Sequence, residues 1–467
     1  MSQRDQKADV LIIGGGPAGS TAGTLLSRRG HRVVLLEKEK FPRDVVGESL
    51  LPFCYNTFKE IGVLDDMIGR FVRKPGVKFI DSDGNRYTNW CFNHIISDET
   101  HLSFQVKRSE FDQLLLENAR KTGVEALEEH RVQEVELDRE GGGVAVRAVD
   151  AGGESRNFAA RFLIDASGRE TFMGRRMGWK EPNPELLRTA LWSHWEDVEL
   201  KGGLEEGLSI ICYIGQEKKG WLWIFPLSDH RLTIGAVMEN DYMRSEKARL
   251  SAAGSDDWQQ DLYLQEIMAS GFVKDLLRSA RRVLPVIANG NYSYKIKQQY
   301  GENFALVGDA RGFIDPIFSS GIFLSMKSST LLSQAVHEKL VTGNAAASMA
   351  HVYAKINGGY EFVRRMIRLF YNPHVINWAQ MGDAGAILHK SHENALAAGH
   401  YMLAGDFFES HAKYDRFFQA LEDEKTFKYY YKVVIGKHEA AAQRSCDSRR
   451  EEIFRAFLPS EPAPVGS

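Results

Sequence analysis

The 467-residue chain has length enough for about three domains or one large multi-lobed body. Its 59 Lys and Arg against 62 Asp and Glu leave a formal net charge of -3, which excludes a general surface for nucleic acid. Hydrophobic residues at 43% and charged residues at 26% describe an ordinary globular protein; no apolar run reaches ~18 residues and Met1 to Asp9 is polar, so no membrane span and a cytoplasmic location are expected.

The first element is Asp9-Val10-Leu11-Ile12-Ile13, a β-branched apolar run that reads as a buried parallel strand. It enters Gly14-Gly15-Gly16-Pro17-Ala18-Gly19, then a helical stretch from Ser20 to Arg29, then the strand Arg32 to Leu36 ending on Glu37. That is a complete βαβ unit around a GxGxxG turn. Gly14 permits the tight turn, Gly16 and Ala18 let a pyrophosphate approach backbone, Gly19 packs helix on strand, and Glu37 can accept from ribose hydroxyls. A dinucleotide, NAD or FAD, is the expected ligand.

Later segments decide between the two. Phe162-Leu163-Ile164 leads into Asp165-Ala166-Ser167-Gly168-Arg169, and Phe304 to Val307 leads into Gly308-Asp309-Ala310, then Asp315-Pro316-Ile317-Phe318-Ser319-Ser320-Gly321 and a helix from about Ile322. A second strand, GD turn and helix start suit the far end of a long cofactor: Asp309 can hold a ribityl hydroxyl, and the amides at Gly321 and Ile322 can face a flavin pyrimidine edge. The expected cofactor is FAD. Between these landmarks strands are expected at Val77 to Ile80, His101 to Val106, Leu208 to Tyr213, Trp221 to Pro226 and Arg231 to Met238, forming an inserted antiparallel sheet over the cofactor.

From about Leu331 the pattern turns helical, with segments expected at Ala345 to Ile356, Glu361 to Tyr371, Ala384 to His400, Tyr414 to Glu422 and His438 to Phe457 before a Pro- and Ser-rich tail. The fold class is therefore α/β: a doubly wound, Rossmann-like FAD-binding domain with an inserted antiparallel sheet and a C-terminal helical cap. Its expected boundaries are 1–74, 107–185 and 286–345 for the FAD domain, 75–106 and 186–285 for the sheet, 346–457 for the helical region and 458–467 for a flexible tail. Cys54, Cys91, Cys212 and Cys446 form no CxxC pair and are expected as buried or incidental thiols, without zinc or a disulfide framework. His389 and His392 stand three apart with no third ligand, so no metal site is expected, and neither HExxH nor GxSxG occurs.

Gly47-Glu48-Ser49-Leu50-Leu51-Pro52, Trp221-Leu222-Trp223-Ile224-Phe225-Pro226 and Asp315 to Gly321 together resemble the flavin-dependent halogenase family, over roughly residues 8 to 345. That family shares its fold with flavin aromatic hydroxylases, so the resemblance implies FADH2- and O2-dependent chlorination or bromination of an electron-rich ring. The implied route runs through a flavin hydroperoxide and hypohalous acid to an active-site lysine. The family's WxWxIP signature stands here as WLWIFP, with Phe225 in the Ile slot; related prenyl reductases carry a Trp-x-Phe-Pro element. A flavin monooxygenase, a prenyl-reductase-like FAD oxidoreductase and a flavin-binding protein without turnover are the alternatives.

The resemblance points to Lys74 or Lys78 as the lysine. Lys74-Pro75-Gly76-Val77-Lys78-Phe79 fits the Lys-x-Gly-x-x-Phe pattern of the phenol and pyrrole branch through Lys74, whereas the tryptophan branch has its lysine directly before Phe, which favours Lys78. The tryptophan branch also has a glutamate just before its halide loop, a slot filled here by Phe318, so a phenol or pyrrole is the expected substrate, free or tethered to a carrier protein. Chloride or bromide is expected on the amides of Ser320 and Gly321. The resemblance places Arg108 at the cofactor pyrophosphate or ribityl chain, Arg43 near the adenosine half, and Glu48 and Ser49 beside the flavin at the carboxyl edge of the parallel sheet. No second GxGxxG with matching context is present for NAD(P)H, so a separate flavin reductase is the expected source of FADH2.

Overall fold

The computed structural model describes residues 6–371, apart from 95, 97, 138–141, 200–203, 216–219 and 291, and beyond them only Trp378, 403–405, Phe407, Phe408, Asp423, Lys425 and Cys446. The βαβ entry forms as the sequence dictates: the strand Gln6–Ile13, the helix Pro17–Arg28 and the strand Val33–Leu36. Val10, Leu11 and Ile12 are all fully buried, as a parallel strand covered on both faces requires. Val33–Leu36 runs parallel to Gln6–Ile13 on one side, and the long strand Ser155–Asp165 runs parallel to it on the other. The far edge of Ser155–Asp165 is shared. Its first half pairs antiparallel with Val144–Val149, and its end pairs parallel with Phe304–Leu306. The turns after Ile13, Asp165 and Leu306 thereby converge at one carboxyl edge, where an open α/β sheet holds its ligand.

The second sheet has eight strands and is built around Gly220–Leu227, which pairs antiparallel with Ser209–Ile214 and Arg231–Glu239. Alternation assigns its faces: Trp221, Trp223 and Phe225 join the core shared with the FAD-side lobe, while Leu222 and Ile224 join a second core under the helices Asn240–Ala252, Trp258–Ala269 and Gly271–Leu276. A Cβ on Gly235 would stand 2.2 Å from the Trp223 indole, so the absent side chain at that position is what seats the ring. The sheet is not wholly antiparallel, because Ser209–Ile214 runs parallel to Gly76–Ile80 and stitches an early segment onto the later strands.

Several expectations change. The strand expected over His101 to Val106 as part of the inserted sheet shortens to Ser103–Gln105 after a 3-10 turn at Glu99–His101 and pairs instead with Val72–Lys74 in a separate two-stranded sheet. The two helices expected over 345–356 and 361–371 are one, Ala346–Phe370, because Val352, Tyr353, Ile356, Gly359, Tyr360, Val363 and Ile367 keep one buried stripe running through the glycines. Cys91 and Cys446 are joined in a disulfide, which corrects the reading of all four cysteines as incidental thiols; Cys54 and Cys212 are free and buried. A separation of 355 residues gave the pair no recognisable spacing. Among the described residues no helix is long and apolar enough to cross a membrane. The helices expected over 384–400, 414–422 and 438–457, the tail, and His389 with His392 lie outside the described residues.

Candidate active site

Gly14 has φ +101°, and a Cβ there would lie 2.4 Å from the Ala166 carbonyl oxygen, so the turn admits only glycine. A Cβ on Gly19 would lie 1.9 Å from the Gly14 carbonyl oxygen, which fixes how closely the helix Pro17–Arg28 approaches the strand. Nothing but the Arg43 guanidinium, 3.7 Å away, approaches the corresponding point at Gly16. The helix begins with Pro17, has no side-chain cap and carries no acidic residue in its first turn, leaving amide donors and a positive dipole end open to an anion. Glu37 is buried; its Oε2 accepts from Gly15 N at 2.7 Å and its Oε1 from Glu39 N at 2.9 Å, which aims the carboxylate along the turn. Arg43 is held by Asp112 at 3.3 Å and Glu39 at 3.2 Å.

These residues line one end of a cavity of about 480 Å³ that continues past Arg108 and Asp309 to Trp192, Trp221, Trp223, Phe225, Ser319, Gly321 and Ile322. A glycine cradle, an uncapped helix start, a ribose-level carboxylate and an aromatic far wall in one elongated cavity fit an FAD molecule. Arg108 opens the helix Arg108–Lys121 and is buried. Its Nε and Nη2 donate to both oxygens of Asp112 at 2.8 Å each, and its Nη1 donates to the Val46 carbonyl at 2.8 Å. The guanidinium thus anchors the segment leading into Gly47-Glu48-Ser49. Burial pushes the Asp309 carboxyl up to about 6 against the pull of Arg169 and Arg108.

The helix expected from about Ile322 begins earlier, at Ser320. Ser319 before it is left-handed at φ +53°, which turns the chain so that Ser319, Gly321 and Ile322 face the cavity while Ser320 is buried. Asp315 sets this loop up: its Oδ1 accepts from Ile317 N at 3.0 Å, and its Oδ2 accepts from Tyr371 Oη at 3.0 Å and Tyr292 Oη at 3.3 Å. Tyr371 in turn accepts from Trp221 Nε1 at 2.8 Å. The second sheet and the loop before Gly321 are therefore bolted together through one tyrosine.

The two candidate lysines separate. Lys74 lies in the strand Val72–Lys74 with no exposed surface; its Nζ donates to Ser49 Oγ at 2.8 Å and to the Leu50 carbonyl at 3.0 Å. Both partners are neutral, so burial lowers its pKa to about 7. Ser49, which lines the cavity, also bonds Ser209 Oγ at 2.8 Å, and Gln105 donates to Ser209 at 2.8 Å. Lys78 is half-buried on Gly76–Ile80, with its ammonium 4.8 Å over the Tyr87 ring.

Sequence reasoning missed His194, whose Nε2 stands 2.8 Å from Glu48 Oε1, both residues being buried. It also missed Trp192 and the Asp315, Tyr292, Tyr371 cluster. These pairings join residues 23 to 146 positions apart, and no local pattern announces them.

The model of the FAD binding domain family matches residues 7–357. The chain is 32% identical over 391 residues to a tryptophan 2-halogenase of Chondromyces crocatus, covering 81% of this chain and 67% of that protein. It is 28% identical over 400 residues to a 1H-pyrrole-2-carbonyl-[peptidyl-carrier protein] chlorinase of Pseudomonas fluorescens, covering 81% and 87%. Among solved structures, the flavin-dependent brominase Bmp2 superposes with a TM-score of 0.76 at 26% identity, covering 91% of this chain and 100% of that one.

Proposed function

Because the chain belongs to the flavin-dependent halogenase family, FAD-dependent enzymes that use halide, we propose that it transfers chloride or bromide to an electron-rich phenolic or pyrrolic ring, with the Lys74 amine delivering the halogen. The observation that carries this reading is the setting of Lys74: fully buried, bonded only to neutral oxygens, and linked through Ser49 to the cofactor cavity. Lys78 is only half-buried, with its ammonium over the Tyr87 ring.

Reduced FAD with O2 and halide supplies the hypohalous oxidant. The chain's own residues do the rest. Gly14, Gly16, Ala18 and Gly19 receive the pyrophosphate, Glu37 the ribose, Arg43 the adenosine half, and Arg108 and Asp309 the pyrophosphate-ribityl stretch. Glu48, Ser49, Gly321 and Ile322 border the ring system, and the amides of Ser320 and Gly321 hold the halide. Trp192, Trp221, Trp223 and Phe225 wall the cavity and keep a substrate ring off the cofactor. With a pKa near neutrality, Lys74 is present as both amine and ammonium at working pH, able to take up the halogen or to hydrogen-bond the oxidant. Phe318, packed against Phe370 and Trp378, fills the slot directly before Ser319 and offers no carboxylate there to accept a ring proton, which favours a strongly activated ring. The pyrrole chlorinase relative, whose name specifies a peptidyl-carrier protein, supports a carrier-bound substrate, and FADH2 would come from a separate reductase.

The test is turnover with bromide, O2, reductase-supplied FADH2 and a panel of phenols and pyrroles, free and carrier-linked, read by mass. Halogenated product from the wild type, its loss in Lys74→Ala with FAD uptake intact, and its persistence in Lys78→Ala are expected. Products that gain oxygen in place of halogen would overturn the reaction, and halogenation by Lys74→Ala would overturn the role of that lysine.

A further inference from the structure

A second hollow, of about 610 Å³, opens between the helix Ala346–Phe370 and the three-stranded sheet of Lys180–Pro182, Tyr294–Ile296 and Gly312–Phe313. Its walls include Pro182, Pro184, Phe313, Ile314 and Tyr360, and Arg311 reaches it from within. Arg311 is 8% exposed, yet the groups in direct contact with its guanidinium are neutral, and Glu361 acts on it only from a distance. Its Nε donates to Gln299 Oε1 at 3.2 Å, its Nη2 donates to Asn357 Oδ1, and its guanidinium carbon lies 3.9 Å over the Tyr360 ring. Among the described residues no carboxylate pairs with it. Arg108, as deeply buried, is matched on both edges by Asp112, and its pKa is raised; burial lowers that of Arg311.

A buried cation without a bonded counter-charge is unfavourable, and the ordinary remedy is an anion in contact with it. The mouth of the hollow does not provide one. Glu361 is engaged by Arg364, Glu185 by Arg368, and Glu181 by Lys297 at 2.7 Å, and all three acids stand at the more exposed rim. Lys295, also at the rim and mostly exposed, shares Glu181 with Lys297 at 3.5 Å; the inner guanidinium is the buried cation of the hollow with no carboxylate bonded to it among the described residues.

We propose that this hollow binds an organic monocarboxylate, its carboxylate on Arg311 and its flat apolar body against Phe313, Ile314 and Tyr360. Arg364 and Lys295 at the mouth are already shared with the rim glutamates, so the one guanidinium inside matches a single negative charge, whereas a dianion such as a phosphate monoester would carry in a second charge with no bonded partner there. Phe313 borders both this hollow and the cofactor cavity, so an occupant touches the outer side of the cofactor's wall.

The experiment uses the full chain saturated with FAD, which fills the other cavity, and measures binding by calorimetry with benzoate, benzamide and phenyl phosphate as probes. Benzoate is expected to bind at least about tenfold more tightly than either of the others, and Arg311→Met to weaken it about tenfold or more with the flavin spectrum unchanged. Equal binding of benzamide or phenyl phosphate overturns the choice of a monocarboxylate. Benzoate binding that is absent, or unaffected by Arg311→Met, overturns the site. Should Arg311→Met fail to take up FAD, Ile314→Trp, which fills the hollow from its wall, gives the same decision: benzoate binding is lost if the site is real and kept if it is not.

Discussion

Replacing Lys74 by methionine tests the electrostatics on which the proposed chemistry depends. An unfolded lysine holds its proton to about 10.5, but the buried Lys74 releases it at about 7. Between those values the unfolded chain binds more protons, so native stability falls as pH drops from 10.5 to 7 and stays low beneath. At ~1.4 kcal/mol per tenfold the full penalty is ~5 kcal/mol. Among the described residues Cys54 is the titratable group that pulls the pKa back up, and it is itself pushed to about 12 by burial and stays neutral through this window. Methionine keeps the volume and removes the penalty, but leaves Ser49 and the Leu50 carbonyl without a donor, a loss of ~1–3 kcal/mol. Lys74→Met is therefore expected to be more stable than the wild type by ~2–4 kcal/mol at pH 6, an advantage shrinking by ~3 kcal/mol at pH 9. Urea unfolding at the two pH values under equal, saturating FAD measures it. A difference independent of pH, or a variant less stable at pH 6, would show that the amine keeps an ordinary pKa and refute the argument.

Gly19→Ala drives a methyl group into the Gly14 carbonyl, 1.9 Å from the built position, and is expected to give a chain that purifies without flavin absorbance. Asp309 is raised from 3.8 to about 6, so its burial destabilises the ligand-free chain increasingly as pH rises through that interval and fully above it. Asp309→Asn should accordingly raise apoprotein stability at pH 7.5 by up to ~3 kcal/mol, with little change below pH 4, while weakening FAD about tenfold or more in a fluorescence titration. Tyr371→Phe removes the bond to Asp315 and the acceptor for Trp221. It should lower stability by ~1–3 kcal/mol and raise the KM for halide more than it changes kcat, as a loosened loop predicts.

The entry to the fold was legible because its signals are local and mutually supporting: a strand, a glycine turn, a helix and an acid within some thirty residues. The strand carrying Trp221 and Trp223 was legible for a related reason, since an apolar run with both faces covered needs no partner to be recognised. The three helices between Asn240 and Leu276 were not foreseen, because much of their surface is polar and only positions such as Leu262, Tyr263 and Ile267 reach the core. The fused helix Ala346–Phe370 shows packing overriding the glycine signal. Least accessible were the contacts that shape the site. His194 against Glu48, Tyr371 against Asp315 and Cys91 against Cys446 each join distant segments, and only the three-dimensional arrangement pairs them.

Lining the cofactor cavity and bonding the Lys74 amine are properties that meet in Ser49. If the oxidant forms in the cavity and acts at Lys74, a disturbance at Ser49 should separate the two events without abolishing the first. Ser49→Ala deletes a hydroxyl that accepts from Lys74 at 2.8 Å and contacts Ser209 at 2.8 Å, but leaves the backbone of the segment tied to Ser103–Gln105. FAD affinity should then change by less than about threefold, in line with the loss of no direct charge-assisted contact. The amine, keeping only the Leu50 carbonyl, loses its fixed aim. Halide-dependent halogenation of a freely diffusing dione trap should persist, while the ratio of ring-halogenated product to FADH2 consumed falls about tenfold or more. Parallel loss of trap halogenation and product would place the serine in oxidant formation, and an unchanged ratio would mean that the halogen reaches the ring by a path that avoids Lys74.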